Sequence, residues 1–267
     1  MVDCRHLNKL LVALLVALPT LAAPPIEQPP AAPAASSRVW EGQNAEYEAF
    51  LRTATIARMG KIDLGVTHPK RAYFSPGSLV SSAAWKPLRP GFQNGFWESY
   101  KSEIAAYELD KLLDLRMVPV VVERRIDGAM GALILWIENV RTWTEVLPLP
   151  KPPIWHRQIA RMKLFDDLIG NPDRNKGNLL IDATWNLYLI DHSRAFLDDR
   201  ALPWKLEHVD TDLWTSMSAL DEASLQAAVG AWLTRTQIKA VLARRDRMAA
   251  EIDALVKAHG RAAVFAW

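Results

Sequence analysis

Three polar residues near the middle of the chain have the types and spacing to support phosphate chemistry. Asp173 and Asn178 lie in one polar loop, and Asp191 follows the second of two short apolar runs, 179–181 and 187–190. The turn formers between these runs predict a β-hairpin, which would bring Asn178 and Asp191 to the same open end. Phosphoryl transfer requires an Asp that orients an acceptor hydroxyl, and an Asn and a second Asp that bind Mg²⁺ beside nucleotide phosphates.

Two other interpretations of this loop are open. Asp- and Asn-rich connections between strands are commonly solvated turns with no further role. A calcium-binding loop is the second alternative, but the run from Asp173 has Asn178 in place of the sixth-position Gly and Thr184 in place of the bidentate Glu. The phosphate interpretation therefore depends on whether the chain also supplies a phosphate-binding lysine, its acidic partner and a hinge upstream.

Two segments of the chain resemble the catalytic and metal-binding segments of atypical kinases. They are Asp-Arg-Asn-Lys-Gly-Asn-Leu-Leu-Ile at 173–181 and Leu-Ile-Asp-His-Ser-Arg-Ala-Phe at 189–196. The similarity is to phosphatidylinositol 3-/4-kinase-like enzymes, secreted kinases of the Golgi casein kinase type and HipA-like bacterial kinases. The loop keeps the kinase spacing Asp-x-x-x-x-Asn, but no His-Arg precedes Asp173, and Asp191-His-Ser replaces Asp-Phe-Gly. Both differences separate the chain from ordinary eukaryotic-type protein kinases.

The resemblance also assigns residues upstream of the loop. It places Lys86, at the end of a predicted strand at 79–85, where these kinases have their phosphate-binding lysine. Apolar periodicity predicts a helix over 99–115, and the resemblance implies that Glu103 of this helix pairs with Lys86. Glu108 lies on the same helix and is a rival partner that periodicity does not exclude.

Further nucleotide contacts are predicted in the same half of the chain. Gly60 and Gly65 lie in a basic, turn-rich stretch that could cover phosphates with backbone N–H groups, although such glycines more often serve turn geometry alone. By the resemblance, Trp136, Ile137 and Glu138 form the hinge between two lobes, where backbone groups would receive adenine.

Together these assignments imply an atypical kinase that transfers the γ-phosphoryl group of ATP, with Mg²⁺ or Mn²⁺, to a hydroxyl of an unidentified acceptor. Lys86 would bind phosphates, Glu103 would hold Lys86, and Asp173 would orient the acceptor. Asn178 and Asp191 would bind the metal. A protein acceptor is favoured over a lipid, and another small-molecule acceptor is also open.

Three points are left open by the residues. Arg174 or Lys176 could neutralise phosphate charge or could simply face solvent. The protein could be a catalytically inactive pseudokinase that serves as a nucleotide-binding scaffold, because ATP is scarce outside the bacterial cytoplasm. It could also be a lipid kinase, for which an exposed basic or apolar membrane patch would be expected.

The predicted fold is a two-lobed α+β kinase-like domain. Residues 39–138 are predicted to form an N-lobe with a mostly antiparallel sheet and one key helix, and residues 139–267 a helical C-lobe. Within the C-lobe we expect an irregular segment at 206–217 and a long helix over 220–257. The basic run Arg244-Arg245-Asp246-Arg247 is expected to face solvent, and so are Asp166 and Asp167, with bracing of the Asp173 loop by one of these two acids as the alternative.

The N-terminal residues have the pattern of a signal peptide. The first nine residues include basic side chains, residues 10–18 are uninterruptedly apolar, and small residues follow. This order predicts a signal peptide at 1–22 and export, and residues 23–38, rich in Pro and Ala, predict a disordered linker. An uncleaved anchor or a buried helix is the alternative, and the protein would be cytoplasmic if the signal did not function. Cys4, the only cysteine, precedes the predicted cut, so that the mature protein could not form disulfides.

Composition excludes some broad classes of function. The 267 residues are 50% hydrophobic and 23% charged, and the net charge is +2. This length and hydrophobic content are enough for one large domain or for two lobes with hydrophobic cores. Basic residues are scattered among acidic ones rather than grouped in a block, so nucleic acid is not a predicted partner. No stable transmembrane segment is expected after signal cleavage.

Overall fold

The computed structural model describes residues 38–62, 69–93 and 95–265. The predicted signal peptide and the predicted linker as far as residue 37 lie outside the described residues, as does Gly65. Within the described ranges, no helix is both long enough and apolar enough to cross a bilayer.

The first half of the fold is dominated by an antiparallel sheet. The strands in the described part of the chain are β1 Arg58–Lys61, β2 Lys70–Tyr73, β3 Ser82–Lys86, β4 Gly91–Gln93, β5 Phe96–Glu98, β6 Val121–Ile126, β7 Ala129–Leu135, β8 Arg141–Thr142, β9 Leu179–Ile181 and β10 Leu187–Leu189. Five of them form one sheet in the order β1-β2-β3-β7-β6, in which all neighbours are antiparallel. The middle strand, β3, is buried at nearly every position, and Lys86 at its end pairs with Ala132 of β7.

Helices make up most of the second half of the fold. The helices in the described part are α1 Asn44–Thr53, α2 Tyr100–Leu113, α3 Trp143–Val146, α4 Pro153–Ile169, α5 Thr211–Ser218, α6 Glu222–Val229, α7 Arg235–His259 and α8 Arg261–Val264. Of these, α1 and α2 lie in the first half. Helix α4 begins with Pro153, whose fixed φ and missing N–H suit the first helical position. It packs against α7. The strands β8, β9 and β10 form a small antiparallel sheet, and β8 and β9 contact α3.

Helix α2 contacts both halves of the fold. It follows the β4–β5 hairpin and begins after Ser99, whose side-chain oxygen accepts a hydrogen bond from the backbone N–H of Lys101 at 3.1 Å. It packs against β6 and β7 and also against α5 and α6. Tyr107 and Leu109 are completely buried. A charged residue on α2 can therefore reach the region where the sheet meets the helical half.

The predicted hairpin after the Asp173 loop is confirmed. Strands β9 and β10 pair antiparallel, with Leu179 opposite Leu189 and Ile181 opposite Leu187. The predicted fold class is also confirmed, since an antiparallel sheet with one key helix is followed by a mainly helical half. The boundary between the lobes at residues 138 and 139 stays a prediction.

Two predictions about the C-terminal elements were wrong. The segment 206–217 is not irregular throughout, because α5 forms with Asp210 as its N-cap, which accepts a hydrogen bond from the N–H of Leu213 at 3.0 Å. The helix predicted over 220–257 is two helices. Helix α6 ends at Val229, and α7 begins at a capping box in which Thr234 and Gln237 satisfy each other's backbone N–H groups.

Three residues predicted to face solvent are buried. Asp166, Asp167 and Arg244 each expose 0% of their surface. A helical pattern of charged residues does not reveal when a charged side chain points inward to bind backbone carbonyls or a buried partner.

Candidate active site

Lys86 lies between two carboxylates at the end of β3. Its Nζ is 2.7 Å from Oε1 of Glu103 and 2.7 Å from Oδ1 of Asp191. Burial by itself lowers the pKa of Lys86, but the negative charges of Glu103 and Asp191 raise it by more, and the net shift is upward. The ammonium therefore stays charged, as a lysine that binds phosphate must.

Glu103 uses its two carboxylate oxygens for two different contacts. Oε1 binds Lys86, and Oε2 accepts a hydrogen bond from the backbone N–H of His192 at 2.9 Å. Burial raises the pKa of Glu103, but the Lys86 ammonium and the His192 contact outweigh it, so the pKa is lowered overall. The rival residue, Glu108, instead pairs with Lys111 at 2.9 Å. The structure thus places Glu103, and not Glu108, against Lys86.

Asp191 lies just beyond the end of β10 in a left-handed backbone conformation. Its φ is 64°, which is uncommon for a residue other than glycine. Non-glycine residues in this region cost free energy and are frequent at functional sites. Its Oδ1 also accepts a hydrogen bond from Ser193 Oγ at 3.2 Å, and its side chain keeps 31% of its surface exposed. Asp191 is therefore anchored and still accessible.

Asn178 lies at the same end of the hairpin as Asp191. Its Nδ2 donates to the backbone carbonyl of Asp173 at 3.0 Å, and its own carbonyl accepts from the N–H of Ile190 at 3.2 Å. A short 3-10 helix at Lys176–Asn178 shapes the loop, with Asn175 Oδ1 accepting from the N–H of Gly177 at 2.9 Å. These bonds join the Asp173 loop to the residue that precedes Asp191.

The residues at this end of the hairpin suit a magnesium ion that is shared with a nucleotide. Protein sites for Mg²⁺ commonly supply one or two oxygen ligands and leave the remaining positions to phosphates and water. Asn178 and Asp191 provide an amide oxygen and a carboxylate. Across the described ranges no group of three or more His, Cys, Asp or Glu side chains is arranged to hold a metal.

Arg174 supports the loop from inside the protein. Its Nε and Nη2 form a fork with the two carboxylate oxygens of Asp166, each at 2.9 Å. Its Nη1 donates to the carbonyls of Asn178 at 3.1 Å and Ile190 at 2.7 Å. Since its side chain is only 1% exposed, Arg174 is a structural clamp and not a group that neutralises phosphate. Lys176, the other candidate for that role, is exposed.

Asp167 is the second buried acid of α4. Its Oδ1 accepts a hydrogen bond from the backbone N–H of Trp204 at 2.7 Å, and Oδ2 has no hydrogen-bond donor in the part of the chain that the structure describes. Burial raises the pKa of Asp167 to about 7. This carboxyl group is therefore partly protonated near neutral pH.

Asp173 contacts a residue that the sequence patterns did not single out. Its Oδ2 is 3.0 Å from Nη1 of Arg194, and Arg194 Nε donates to Oε1 of Glu98 at 2.8 Å. Arg194 lies three residues after Asp191, but nothing in that spacing indicates its partners. A basic residue directly after the predicted metal-binding triplet was the only available signal.

The predicted hinge is held by contacts with the neighbouring strands. The N–H of Trp136 donates to the carbonyl of Ser82 at 3.2 Å, and Ile137 is buried. Glu138 accepts hydrogen bonds from Arg71 Nη2 at 2.8 Å and from Ser81 Oγ at 2.9 Å. Adenine recognition by Trp136, Ile137 and Glu138 stays a prediction.

Gly60 lies within β1 and not in a loop. A Cβ at this position would be 3.0 Å from Cε2 of Tyr73, so the close approach of the ring accounts for a glycine here. Phosphate binding by Gly60 and Gly65 likewise stays a prediction.

Comparison with known proteins identifies the fold. No family model and no curated protein matched the sequence. The structure is similar to that of the Golgi casein kinase, with a TM-score of 0.63 and 16% identity over 84% of this chain and 77% of that one. The same kinase with Mn/ADP bound has a TM-score of 0.62 and 15% identity over 83% and 78%. Hydra Fam20, in a structure with sugar, has a TM-score of 0.65 and 15% identity over 83% and 91%.

Identities of this size establish the fold alone. The structural similarities confirm the predicted resemblance to atypical kinases of the Golgi casein kinase type. Resemblance to the phosphatidylinositol kinase-like and HipA-like kinases stays a prediction. We conclude that the chain has an atypical kinase-like fold of the kind found in the Golgi casein kinase.

Proposed function

We propose that the protein is an atypical kinase that transfers the γ-phosphoryl group of ATP to a hydroxyl of an acceptor, with Mg²⁺ or Mn²⁺. The observation that carries the proposal is the contact of Lys86 with both Glu103 and Asp191 at 2.7 Å. These three residues come from β3, α2 and the end of β10. Their order in the chain and their mutual contacts are those expected of a nucleotide-binding kinase site, and this supports the proposal.

In this proposal each residue has one task. Lys86 binds the nucleotide phosphates, and Glu103 keeps its ammonium charged and oriented. Asn178 and Asp191 would hold the divalent ion, which supplies positive charge beside the β- and γ-phosphates when it is bound. Asp173 orients the acceptor hydroxyl for attack. The Golgi casein kinase structure with Mn/ADP supports a nucleotide and a divalent cation as cofactors for this fold.

The acceptor and the compartment are also matters of proposal. We favour a protein acceptor over a lipid. Export fits the secreted kinases that share the fold. A catalytically inactive scaffold that binds nucleotide is the competing function, and measurement of binding and transfer on the same samples separates the two.

The test compares two aspartate variants. Asp191→Ala should abolish magnesium-dependent ATP binding, because it removes a charged ligand from a site whose affinity depends on charge. Asp173→Ala should keep nucleotide binding but reduce transfer by orders of magnitude, because orientation of the acceptor contributes to the transition state and not to the ground-state complex. Thermal-shift titration with Mg-ATP reports binding, and radiolabelled γ-phosphate transfer to protein mixtures and lipids reports catalysis.

A matched control is Asp253→Ala, which removes an exposed aspartate from α7 and should change neither readout. Wild-type protein that binds Mg-ATP but transfers phosphate to no acceptor would favour the scaffold. Absence of binding with either Mg²⁺ or Mn²⁺ would contradict both functions.

A further inference from the structure

Arg194 contacts three side chains, one of which is Asp173, the residue proposed to orient the acceptor. Its Nη1 is 3.0 Å from Oδ2 of Asp173, and its Nε donates to Oε1 of Glu98 at 2.8 Å. The carbon at the centre of its guanidinium group lies 3.9 Å from the centroid of the Phe96 ring. One side chain therefore joins the Asp173 loop to strand β5.

The contacts with Glu98 and Phe96 restrict the orientation of the Arg194 guanidinium independently of its contact with Asp173. The Glu98 side chain is 3% exposed, and a buried carboxylate requires a charged or hydrogen-bonding partner. The guanidinium is planar, so a carboxylate at Nε and a ring against its face together set its orientation. Phe96 and Glu98 are alternate residues of β5, and they present both contacts from the same face of the strand.

Strand β5 is itself well placed to position this arginine. The β4–β5 hairpin lies in the chain between Lys86 and Glu103, and α2 begins almost directly after it. Its residues Gly91 and Glu98 are paired across the hairpin, which holds the Glu98 backbone in place. The same stretch of chain thus delivers the phosphate-binding lysine, its partner and the support of Arg194.

We propose that Arg194 is a positioning residue for Asp173, and that Glu98 and Phe96 hold it for that task. The guanidinium binds Oδ2 of Asp173, while Oδ1 receives no hydrogen bond or ion pair from the residues that the structure describes. Oδ1 is therefore free to accept a hydrogen bond from the hydroxyl group of the acceptor. This inference rests on the proposed function, because it assigns Asp173 to the acceptor.

The kinetic test uses substitutions that remove the charge but keep a polar side chain. Arg194→Gln should lower kcat by about 10-fold to 100-fold with little change in KM for ATP, because displacement of a catalytic group by about 1 Å is enough for such losses. In an Asp173→Ala background the same substitution should cause no further loss, because Arg194 acts through Asp173. An arginine with only a structural role would lower activity in both backgrounds.

Two further variants control for misfolding and for the general effect of removing a positive charge. Arg194→Gln leaves Glu98 buried without its cation, so the Glu98→Gln/Arg194→Gln double variant should be better folded and no less impaired in kcat than Arg194→Gln alone. Arg200→Gln makes the same change at an exposed arginine of the same segment and should leave kcat unchanged. If Arg194→Gln behaves like Arg200→Gln, or if it raises KM for ATP and spares kcat, the inference is overturned.

A readout that needs no turnover separates this inference from the proposed function. The unfolding equilibria of Arg194→Gln, Asp173→Asn and the double variant should be non-additive, because the two side chains contact each other. If the wild type transfers no phosphate to any acceptor, the proposed function fails and this cycle decides the inference. Non-additive effects then support Arg194 as the group that positions Asp173, and additive effects overturn it.

Discussion

At the scale of single residues, the buried charge of Lys86 depends on its carboxylate partners. An ammonium this far from solvent would favour its neutral form without them, as the downward effect of burial on its pKa shows. Glu103 is the more buried of the two partners, with 2% of its side chain exposed against 31% for Asp191. We therefore expect Glu103 to contribute more to both the charge and the position of Lys86.

Replacement of this partner is our first prediction at the residue scale. Glu103→Gln should lower the free energy of unfolding by about 3 kcal/mol, because it leaves a buried ammonium without its best-placed charge partner. The lowered pKa of Glu103 means that its contribution is fully present above about pH 4.5, the ordinary value for Glu, and is lost progressively as the pH falls from there through the lowered pKa of the folded state. Urea unfolding at pH 7, pH 4 and pH 3 should show a difference between wild type and variant that shrinks stepwise toward the lowest pH.

The chain offers a matched control for this change. Glu108→Gln lies on the same helix and breaks the pair with Lys111, whose side chain is 30% exposed. Exposed ion pairs contribute on the order of 0.5 kcal/mol or less, so this variant should be nearly as stable as the wild type. Equal losses for the two variants would contradict the special role of Glu103.

A second residue-scale prediction concerns Asp167, whose pKa is raised by burial to about 7. The folded state holds this proton at pH values where the unfolded chain has released it, so stability falls as the pH rises from about 4 to about 7. Asp167→Asn removes that dependence and keeps an oxygen for the N–H of Trp204. The variant should exceed the wild type at pH 8 by up to about 4 kcal/mol and match it near pH 4.

Thermal unfolding across this pH range provides the measurement. The control is Asp253→Asn, which makes the same substitution at an exposed aspartate of α7. A difference between Asp167→Asn and wild type that is the same at pH 4 and pH 8 would show that Asp167 titrates normally.

At the scale of elements, the end of α4 and the middle of α7 together support the segment before the Asp173 loop. Arg244 is completely buried and its Nε donates to the carbonyl of Leu168 at 2.9 Å, while its Nη1 donates to the carbonyl of Leu197 at 3.1 Å. Burial lowers the pKa of Arg244 to about 10, and the guanidinium remains charged at neutral pH. This one side chain joins α7 to the chain on both sides of the proposed catalytic segments.

Gly170, which ends α4, leaves the space for this arginine. Its φ is 61°, and a Cβ there would lie 2.8 Å from Cζ of Arg244. Gly170→Ala should therefore destabilise the protein by about 2 to 3 kcal/mol, through the left-handed backbone and the overlap with Arg244 together. Gly42 has a φ of 74°, and a Cβ there would have no atom within 4 Å. Gly42→Ala should therefore lower the free energy of unfolding by only about 1 kcal/mol.

Chemical denaturation of the two glycine variants compares them directly. The difference between them isolates the contact with Arg244, because both substitutions place alanine in a left-handed conformation. If Gly42→Ala proved as harmful as Gly170→Ala, the contact with Arg244 would not be the cause.

At the scale of the whole molecule, the predicted export of the protein is the remaining prediction. A reporter fused after residue 40 should leave the cytoplasm, because a basic start, a short apolar core and small residues at the cut occur together. The same fusion without residues 1–22 should remain inside. Retention of the complete fusion at full length would rule out a working signal, and it would also give the proposed kinase direct access to cytoplasmic ATP.

Local sequence was enough to predict the elements that build the site. Turn formers between two apolar runs predicted the β9–β10 hairpin. The positions of Asn178 before the first run and of Asp191 after the second predicted that both lie at its open end. Apolar periodicity predicted α2 to within two residues at each end. Such features depend on residues a few positions apart, whose spacing in the sequence determines the local backbone geometry and the face on which each side chain lies.

Tertiary structure decided which charged residues meet and which are buried. Lys86 and Asp191 are 105 positions apart, and Asp173 reaches Glu98 only through Arg194. Periodicity could not separate Glu103 from Glu108, since both are acidic residues of one helix and only the packing of α2 selects the face toward β3. The burial of Asp166 was equally hidden, because the same charged residue suits a solvated helix face or an inward ion pair. A buried charge requires a partner supplied by a distant part of the chain, and only the assembled fold shows whether that partner is there.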